Sequence, residues 1–383
     1  MAVTDEEILW AYRIVLGREP ESQSSYDANR QCADLFSLCT ALFDSAEFAR
    51  NNIYNSTISV KRKPYGTLAA DNDFVRHFEK RVLVVSGCQA EPIAKNLQAL
   101  TGADCHSQFI SEQTLEAILA GKKELPQEWQ SFDLILTQKR ELFDKIQFER
   151  PTEFSRWQLL PLVLFDGFHP DQCYLYRSSD GTEIIGPMGV YHSKIITAAY
   201  FSGISAADTA DLFDRKVFKD LGYHERFDAA CSKLVFESST TAVPLENLIK
   251  KWNKNGKWML SVNHPCTAVI EDIVKNYLFN MAIKFENRSH VYVRDDLIEL
   301  GDWPSYFEGE KTLDLDDYRF RVPSSLSPDH RGTFFLDLYN YILLSYSALS
   351  HITYAEIEAD DLNGSVNLKE IAATLRRNIY KKG

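Results

Sequence analysis

The sequence predicts an α/β protein: a largely parallel sheet flanked by helices, a small all-helical unit ahead of it and a helical C-terminal region. Three observations predict this. The apolar runs "RVLVVS" (81–86), "FDLILTQ" (132–138) and "KWMLSV" (257–262) read as buried strands, the first apolar on both faces as in parallel sheets. Helical patterns separate these runs, the alternation expected of an α/β domain. Residues 5–50, ahead of the first strand, read as helical instead.

In the first unit, "DEEILWAYRIVLGREPE" places Ile8, Tyr12, Val15 and Leu16 on one face and stops at Gly17 and Pro20. A second helical pattern sets Leu35, Leu38, Leu42 and Phe43 together, and Asp44 or Ser45 can cap a last short turn. The polar stretch that follows has few apolar anchors and reads as a linker. The expected organisation is a helical domain over residues 1–52, a linker over 53–79 and an α/β domain over 80–383.

After the first strand, a helix presents Ile93, Leu97 and Leu100 on one face, with Pro92 suited to its first turn. "LLPLVLF" and "CYLYR" are weaker strand patterns, and helices are expected around 190–202, 205–221 and 225–252. Near the C-terminus "RGTFFLDLYNYILLSYSAL" reads as a buried helix and "NLKEIAATLRRNIYKK" as an amphipathic one. The basic end of that last helix suits either simple solvation or peripheral contact with anionic lipid at the inner face of a membrane.

The 383 residues carry a formal charge of −12, which argues against nucleic-acid binding because phosphate neutralisation needs a basic face. No apolar run approaches the roughly 20 residues that cross a bilayer, and "MAVTDEEILW" lacks the basic start and apolar core of a secretory signal. The seven cysteines are odd in number and form no C-x-x-C pair, which fits reduced thiols in a cytoplasmic protein.

In open α/β sheets, sites form beyond the carboxyl ends of the strands. There the sequence places Ser86-Gly87-Cys88-Gln89 after the first run, Gln138 at the end of the second and Asn263-His264-Pro265 after the third. A thiol at a helix N-terminus meets the positive end of the dipole, which favours the nucleophilic thiolate. Gly87 allows close approach of a substrate. An amide from Gln89, Gln138 or Asn263 can hold a developing oxyanion, and His264 can move a proton near neutral pH. Together these groups suit acyl transfer. Taken singly, Cys88 is equally a small core residue, Gln138 a polar strand end and His264 a loop residue.

Two further clusters lie between the second and third runs. "FDGFHPDQCYLY" sets His169 and Asp171 in a turn, and "GPMGVYHSKIITAAYFSG" puts Tyr191, His192 and Ser193 at a helix start. Ser193 can simply cap that helix. Alternatively, His169 or His192 is the base for Cys88, with Asp171 orienting an imidazole. Zinc-site spacing is absent, so no metal is expected. The phosphate-binding glycine loops and the G-x-S-x-G elbow are absent too.

In series, "VLVVSGCQAEPIAKNL", "FDLILTQ", "FDGFHPDQCYLY", "GPMGVYHSKIITAAYFSGISAADTADLF" and "SVNHP" resemble the WcbI-type polysaccharide biosynthesis family over roughly residues 80–350. The resemblance implies a capsular or exopolysaccharide O-acetyltransferase using coenzyme A or acetyl-CoA as donor, with a core similar in style to SGNH (GDSL-like) hydrolases. It sets Cys88 where those enzymes carry serine, Gln138 near their amide position and His264 near their late histidine. The chain departs from their Asp-x-x-His spacing, since residue 261 is serine. For the donor's phosphates the candidate cations are Lys139, Arg140, Arg156, Arg177 and Lys194. The expected partner is a polysaccharide or sugar-precursor acceptor. The N-terminal unit resembles a short helical domain of glycan-related bacterial proteins and suits docking to other capsule-assembly proteins. Two alternatives use the same residues: a thioesterase or carbohydrate esterase, and a non-catalytic glycan-assembly subunit.

Overall fold

The computed structural model describes residues 80–283, 285, 296–308, 311–312, 317–326 and 334–380, and within the first 79 positions residues 3–5, 8, 12, 20–32, 38, 41 and 42. The chain divides into two compact units, residues 1–73 and 74–383. In the first, Ile8, Tyr12, Leu38 and Leu42 from the two predicted apolar faces pack with Val3 in one small core. The helix α1 (Gln23–Asn29) lies between those patterns in sequence. Val15, Leu16, Leu35, Phe43 and the expected linker over 53–79 lie outside the described residues.

The second unit begins with a parallel sheet. Its strands are β1 (Arg81–Ser86), β2 (Asp104–Phe109), β3 (Leu134–Thr137) and β4 (Trp157–Leu159). They lie in the order β2-β1-β3-β4, and every neighbouring pair is parallel. From Val82 to Ser86 every residue of β1 is buried. Alternation divides the apolar side chains between two cores, Val82, Val84 and Leu136 on one face and Leu83, Val85 and Ile135 on the other. Helix α2 (Ala90–Thr101) follows β1, buries Ile93, Leu97 and Leu100 as its periodicity predicts, and ends at Gly102 with φ 72°. Helices α3 (Glu112–Leu119) and α4 (Arg140–Glu149) follow β2 and β3. The chain leaves β1 for β2 on one side and then for β3 on the other. The carboxyl ends of β1 and β3 therefore form a topological switch point, where such sheets open a crevice.

A second four-stranded sheet was not anticipated. It contains β5 (Gln172–Arg177) and β6 (Tyr191–Ser193). Helices α5 (Lys194–Phe201), α6 (Ala206–Ala210), α7 (Arg215–Asp220), α8 (Arg226–Ser238), α9 (Glu246–Lys254) and α10 (Thr267–Asn280) come next. Two short antiparallel pairs, β7 (Phe307–Glu308) with β8 (Lys311–Thr312) and β9 (Phe320–Arg321) with β10 (Phe335–Leu336), precede α11 (Leu338–Leu349). The chain then supplies β11 (Ile357–Asp361), β12 (Gly364–Ser365) and α12 (Leu368–Tyr380). This sheet is antiparallel, in the order β12-β11-β5-β6.

Several expected elements change. "CYLYR" is a strand of this antiparallel sheet, and the helix expected at 190–202 opens with β6. The segments 205–221 and 225–252 each break into two helices. α11 is half-exposed rather than buried throughout, with Tyr339, Leu343 and Leu344 turned outward. "LLPLVLF" is β-strand only to Leu159, because Pro161 has no N–H to continue the ladder.

The third expected strand, 257–262, is a turn. Its apolar residues Trp258, Met259, Leu260 and Val262 are buried, which is what mimics a strand in sequence. The backbone instead folds back on itself. Leu260 N–H donates to His264 O at 2.7 Å, and Cys266 N–H to Trp258 O at 3.0 Å. Among the described residues no helix is long and apolar enough to cross a membrane.

Candidate active site

Cys88 lies in the turn between β1 and α2 and is exposed. Its backbone leads into a helix whose first N–H groups lack intrahelical partners. The surrounding protein raises its thiol pKa by desolvation, while its own backbone N–H and the Lys139 ammonium pull it back. The expected net lowering is therefore reversed. The loss of water around the sulfur outweighs both the backbone N–H and the Lys139 charge. A Cβ built on Gly87 meets nothing within 4 Å, so no packing contact inside the protein demands glycine there.

The glutamine amides are committed elsewhere. Gln89 is buried, and its Nε2 donates to Val163 O at 2.8 Å and Asn263 O at 3.0 Å. Gln138 Nε2 donates to Gln89 Oε1 at 2.9 Å and Pro161 O at 2.6 Å, and its Oε1 accepts from Ser86 Oγ at 2.6 Å. All four amide hydrogens thus have protein acceptors, which corrects the expectation that either side chain faces an oxyanion. Two of those acceptors, Pro161 O and Val163 O, belong to the irregular run after β4. The amides replace the ladder that Pro161 interrupts.

Asn263 has the opposite pattern. Its Oδ1 accepts from Tyr191 Oη at 2.7 Å and from Ser261 Oγ at 3.0 Å. Tyr174 stands opposite Tyr191 across β5 and β6, with ring centroids 5.5 Å apart. Both phenols lie within electrostatic reach of Cys88, and burial raises both of their pKa values. His264 Nε2 lies 3.3 Å from Tyr191 Oη, with the two rings edge-to-face. Burial lowers its pKa to about 4, so it is neutral at physiological pH.

The other two histidines are removed from this group. Tyr191 and His192 are consecutive on β6 and so face opposite ways. His192 Nε2 contacts Ile184 O at 2.7 Å, and its ring packs so close to Gly186 that a Cβ there would come within 2.8 Å. Burial lowers its pKa to about 4. His169 is fully buried, with Nε2 3.1 Å from Trp303 O. Burial and the Lys257 charge hold its pKa well below the ordinary value.

Among the described residues Asp171 orients no imidazole. Buried among donors, it accepts from Ser193 Oγ, from Ile195 N–H at 2.9 Å, from Tyr223 Oη at 2.7 Å and from Tyr306 Oη at 3.0 Å. Burial raises its pKa against the pull of Ser193, Ile195, Tyr223 and Lys194. Ser193 caps α5, accepting from Ile196 N–H at 3.0 Å.

Among the candidate cations, Lys194 is buried between Pro170 O and Asp361. Arg156 is held by the carbonyls of Trp129, Gln130 and Phe132 and by Glu153. Arg177 is an exposed residue at the end of β5. Lys139 pairs with the exposed Glu112 and is the cation whose charge reaches Cys88. Arg140 bonds Thr240 Oγ1 at 2.7 Å and has no carboxylate partner among the described residues. There, too, no three His, Cys, Asp or Glu side chains are grouped to hold a metal.

The sequence reading missed Tyr174 and Ser261 as site residues. Ser261 was visible as the departure from Asp-x-x-His. Tyr174 needed the β5–β6 register, which no local signal encodes.

The family model described as polysaccharide biosynthesis enzyme WcbI matches residues 81–286, more than half the chain. A solved structure of WcbI, described as a novel polysaccharide biosynthesis enzyme and as native protein without a disulfide bond between coenzyme A and a cysteine, is similar with a TM-score of 0.48 and 14% identity. The similarity covers 78% of this chain and 94% of that one. No curated protein matches the chain.

Proposed function

The chain belongs to the WcbI family of polysaccharide biosynthesis enzymes, and from that premise we propose that it is a coenzyme-A-dependent O-acyltransferase, most simply an O-acetyltransferase, acting on a polysaccharide or sugar-precursor hydroxyl. One observation carries the reading: an exposed thiol at the β1/β3 switch point shares its surroundings with Tyr191, which bonds Asn263 and contacts His264. The coenzyme A donor itself comes from the sequence resemblance. Arg140, with no carboxylate partner among the described residues, and Lys139 are suited to phosphate.

In this reading the sugar hydroxyl attacks the thioester carbonyl, the C–S bond breaks, and the proton leaves the hydroxyl toward His264. His264 is neutral above about pH 4 and can accept a proton. The raised thiol pKa of Cys88 favours direct transfer, with the thiol shaping the site, over a covalent acyl-cysteine. The test is thiol release from acetyl-CoA with and without a chemically deacetylated capsular polysaccharide. Transfer predicts acetyl ester on the glycan and release that depends on it. Release at full rate without glycan would replace transfer by hydrolysis.

A further inference from the structure

We infer that Asn263 supplies the side-chain N–H that binds the oxyanion, and that Tyr191, together with Ser261, is the positioning residue that fixes the amide for this role. The inference rests on the acyl-transfer reading and names the group that stabilises its transition state.

Hydrogen-bond geometry carries it. A carbonyl oxygen has two lone pairs, and Asn263 Oδ1 fills both, with Tyr191 Oη at 2.7 Å and Ser261 Oγ at 3.0 Å. That arrangement sets which end of the amide is oxygen. Two hydroxyls thus converge on one acceptor, and the Tyr174 ring packs beside that of Tyr191. Asn263 Nδ2 then keeps two hydrogens with no partner among the described residues, on a half-buried residue. The Asn263 backbone carbonyl is bonded by Gln89, the residue after Cys88, which ties this amide to the thiol turn. Gln89 and Gln138, the other amides at the strand ends, have no hydrogen left to offer.

In the step itself the sugar oxygen forms a bond to the acyl carbon, and the carbonyl π pair moves onto oxygen, where Asn263 Nδ2–H meets it. The pair then returns as the C–S bond breaks. The coenzyme A thiolate leaves and recovers the proton that the sugar hydroxyl gave up.

The experiment measures kcat and KM with acetyl-CoA and deacetylated capsular polysaccharide for wild type, N263A, N263D, Y191F and the Y191F/N263A double variant. N263A is expected to lose about 100- to 1,000-fold in kcat, the loss typical of one oxyanion donor, with KM within about twofold. N263D keeps the acceptor for Tyr191 and Ser261 but loses the donor, and it carries the test if N263A unfolds. It is expected to fall as far. Y191F is expected to lose about tenfold, and adding it to N263A should cost nothing further, since a positioning residue acts through the group it positions. Wild-type activity with N263D within about twofold of it would overturn the oxyanion assignment alone. Fully additive losses in the double variant would overturn the positioning role of Tyr191. A wild type that transfers no acetyl group would instead overturn the acyl-transfer reading itself.

Discussion

The two sheets of the larger unit contribute to the candidate site in different ways. The parallel sheet brings polar residues to its carboxyl edge and then commits them to structure: Ser86, Gln89 and Gln138 bond one another and the irregular run after β4. The antiparallel sheet brings Tyr174 and Tyr191 side by side, and the Tyr191 hydroxyl holds an amide whose own donors have no partner among the described residues. A polar side chain at a strand end is therefore only a candidate. Whether its hydrogens already have acceptors decides what it can do for a substrate.

Acid gives the largest expected separation of the two regions. The antiparallel region holds His192, and His264 contacts its Tyr191; both are buried with pKa values lowered from 6.5 to about 4. His106 of the parallel sheet is exposed. Between those pH values the unfolded chain binds more protons than the folded one. The stabilisation is complete above pH 6.5 and is lost as pH falls through 4, on the order of 3 kcal/mol per histidine. Hydrogen exchange near pH 4.5 should show β5 and β6 losing protection before β1 and β3. Simultaneous loss would break the contrast.

Asp171→Ala comes next. It leaves the hydroxyls of Ser193, Tyr223 and Tyr306 and the Ile195 N–H without their buried acceptor, and is expected to cost about 4 kcal/mol in urea unfolding. Gln138→Ala should cost about 2 kcal/mol because Ser86 and Pro161 lose their partner. Activity per folded molecule should stay within about twofold, and a collapse of kcat in a stable Gln138→Ala protein would return that amide to the chemistry. Lys139→Met has the smallest expected effect. It removes the charge that lowers the Cys88 thiol pKa, so iodoacetamide should label Cys88 a few-fold more slowly at pH 8.

Much of the parallel half was legible in sequence. β1 and α2 declared themselves through an apolar run and a 3.6-residue period, and Cys88 through its place between them. The turn at 257–265 was not legible, because burial on all sides gives a tight turn the same apolar run as a strand. The roles expected of Asp171 and Gln138 failed for a related reason. Their residue types suit catalysis and buried networks equally, and only partners distant in sequence, such as Tyr306 or Pro161, separate the two. His264 was named among three candidate histidines, and the period-2 facing of β6 sets His192 away from Tyr191.

The central claim is that an acyl-coenzyme A donor is handled at the Cys88 turn. Its most direct test is alkylation of each cysteine, followed by mass spectrometry, with and without saturating coenzyme A under reducing conditions. The account predicts that coenzyme A slows labelling of Cys88 at least about tenfold while Cys231, half-buried on α8, labels at an unchanged rate. Cys88 labelling at the same rate with coenzyme A bound would contradict it.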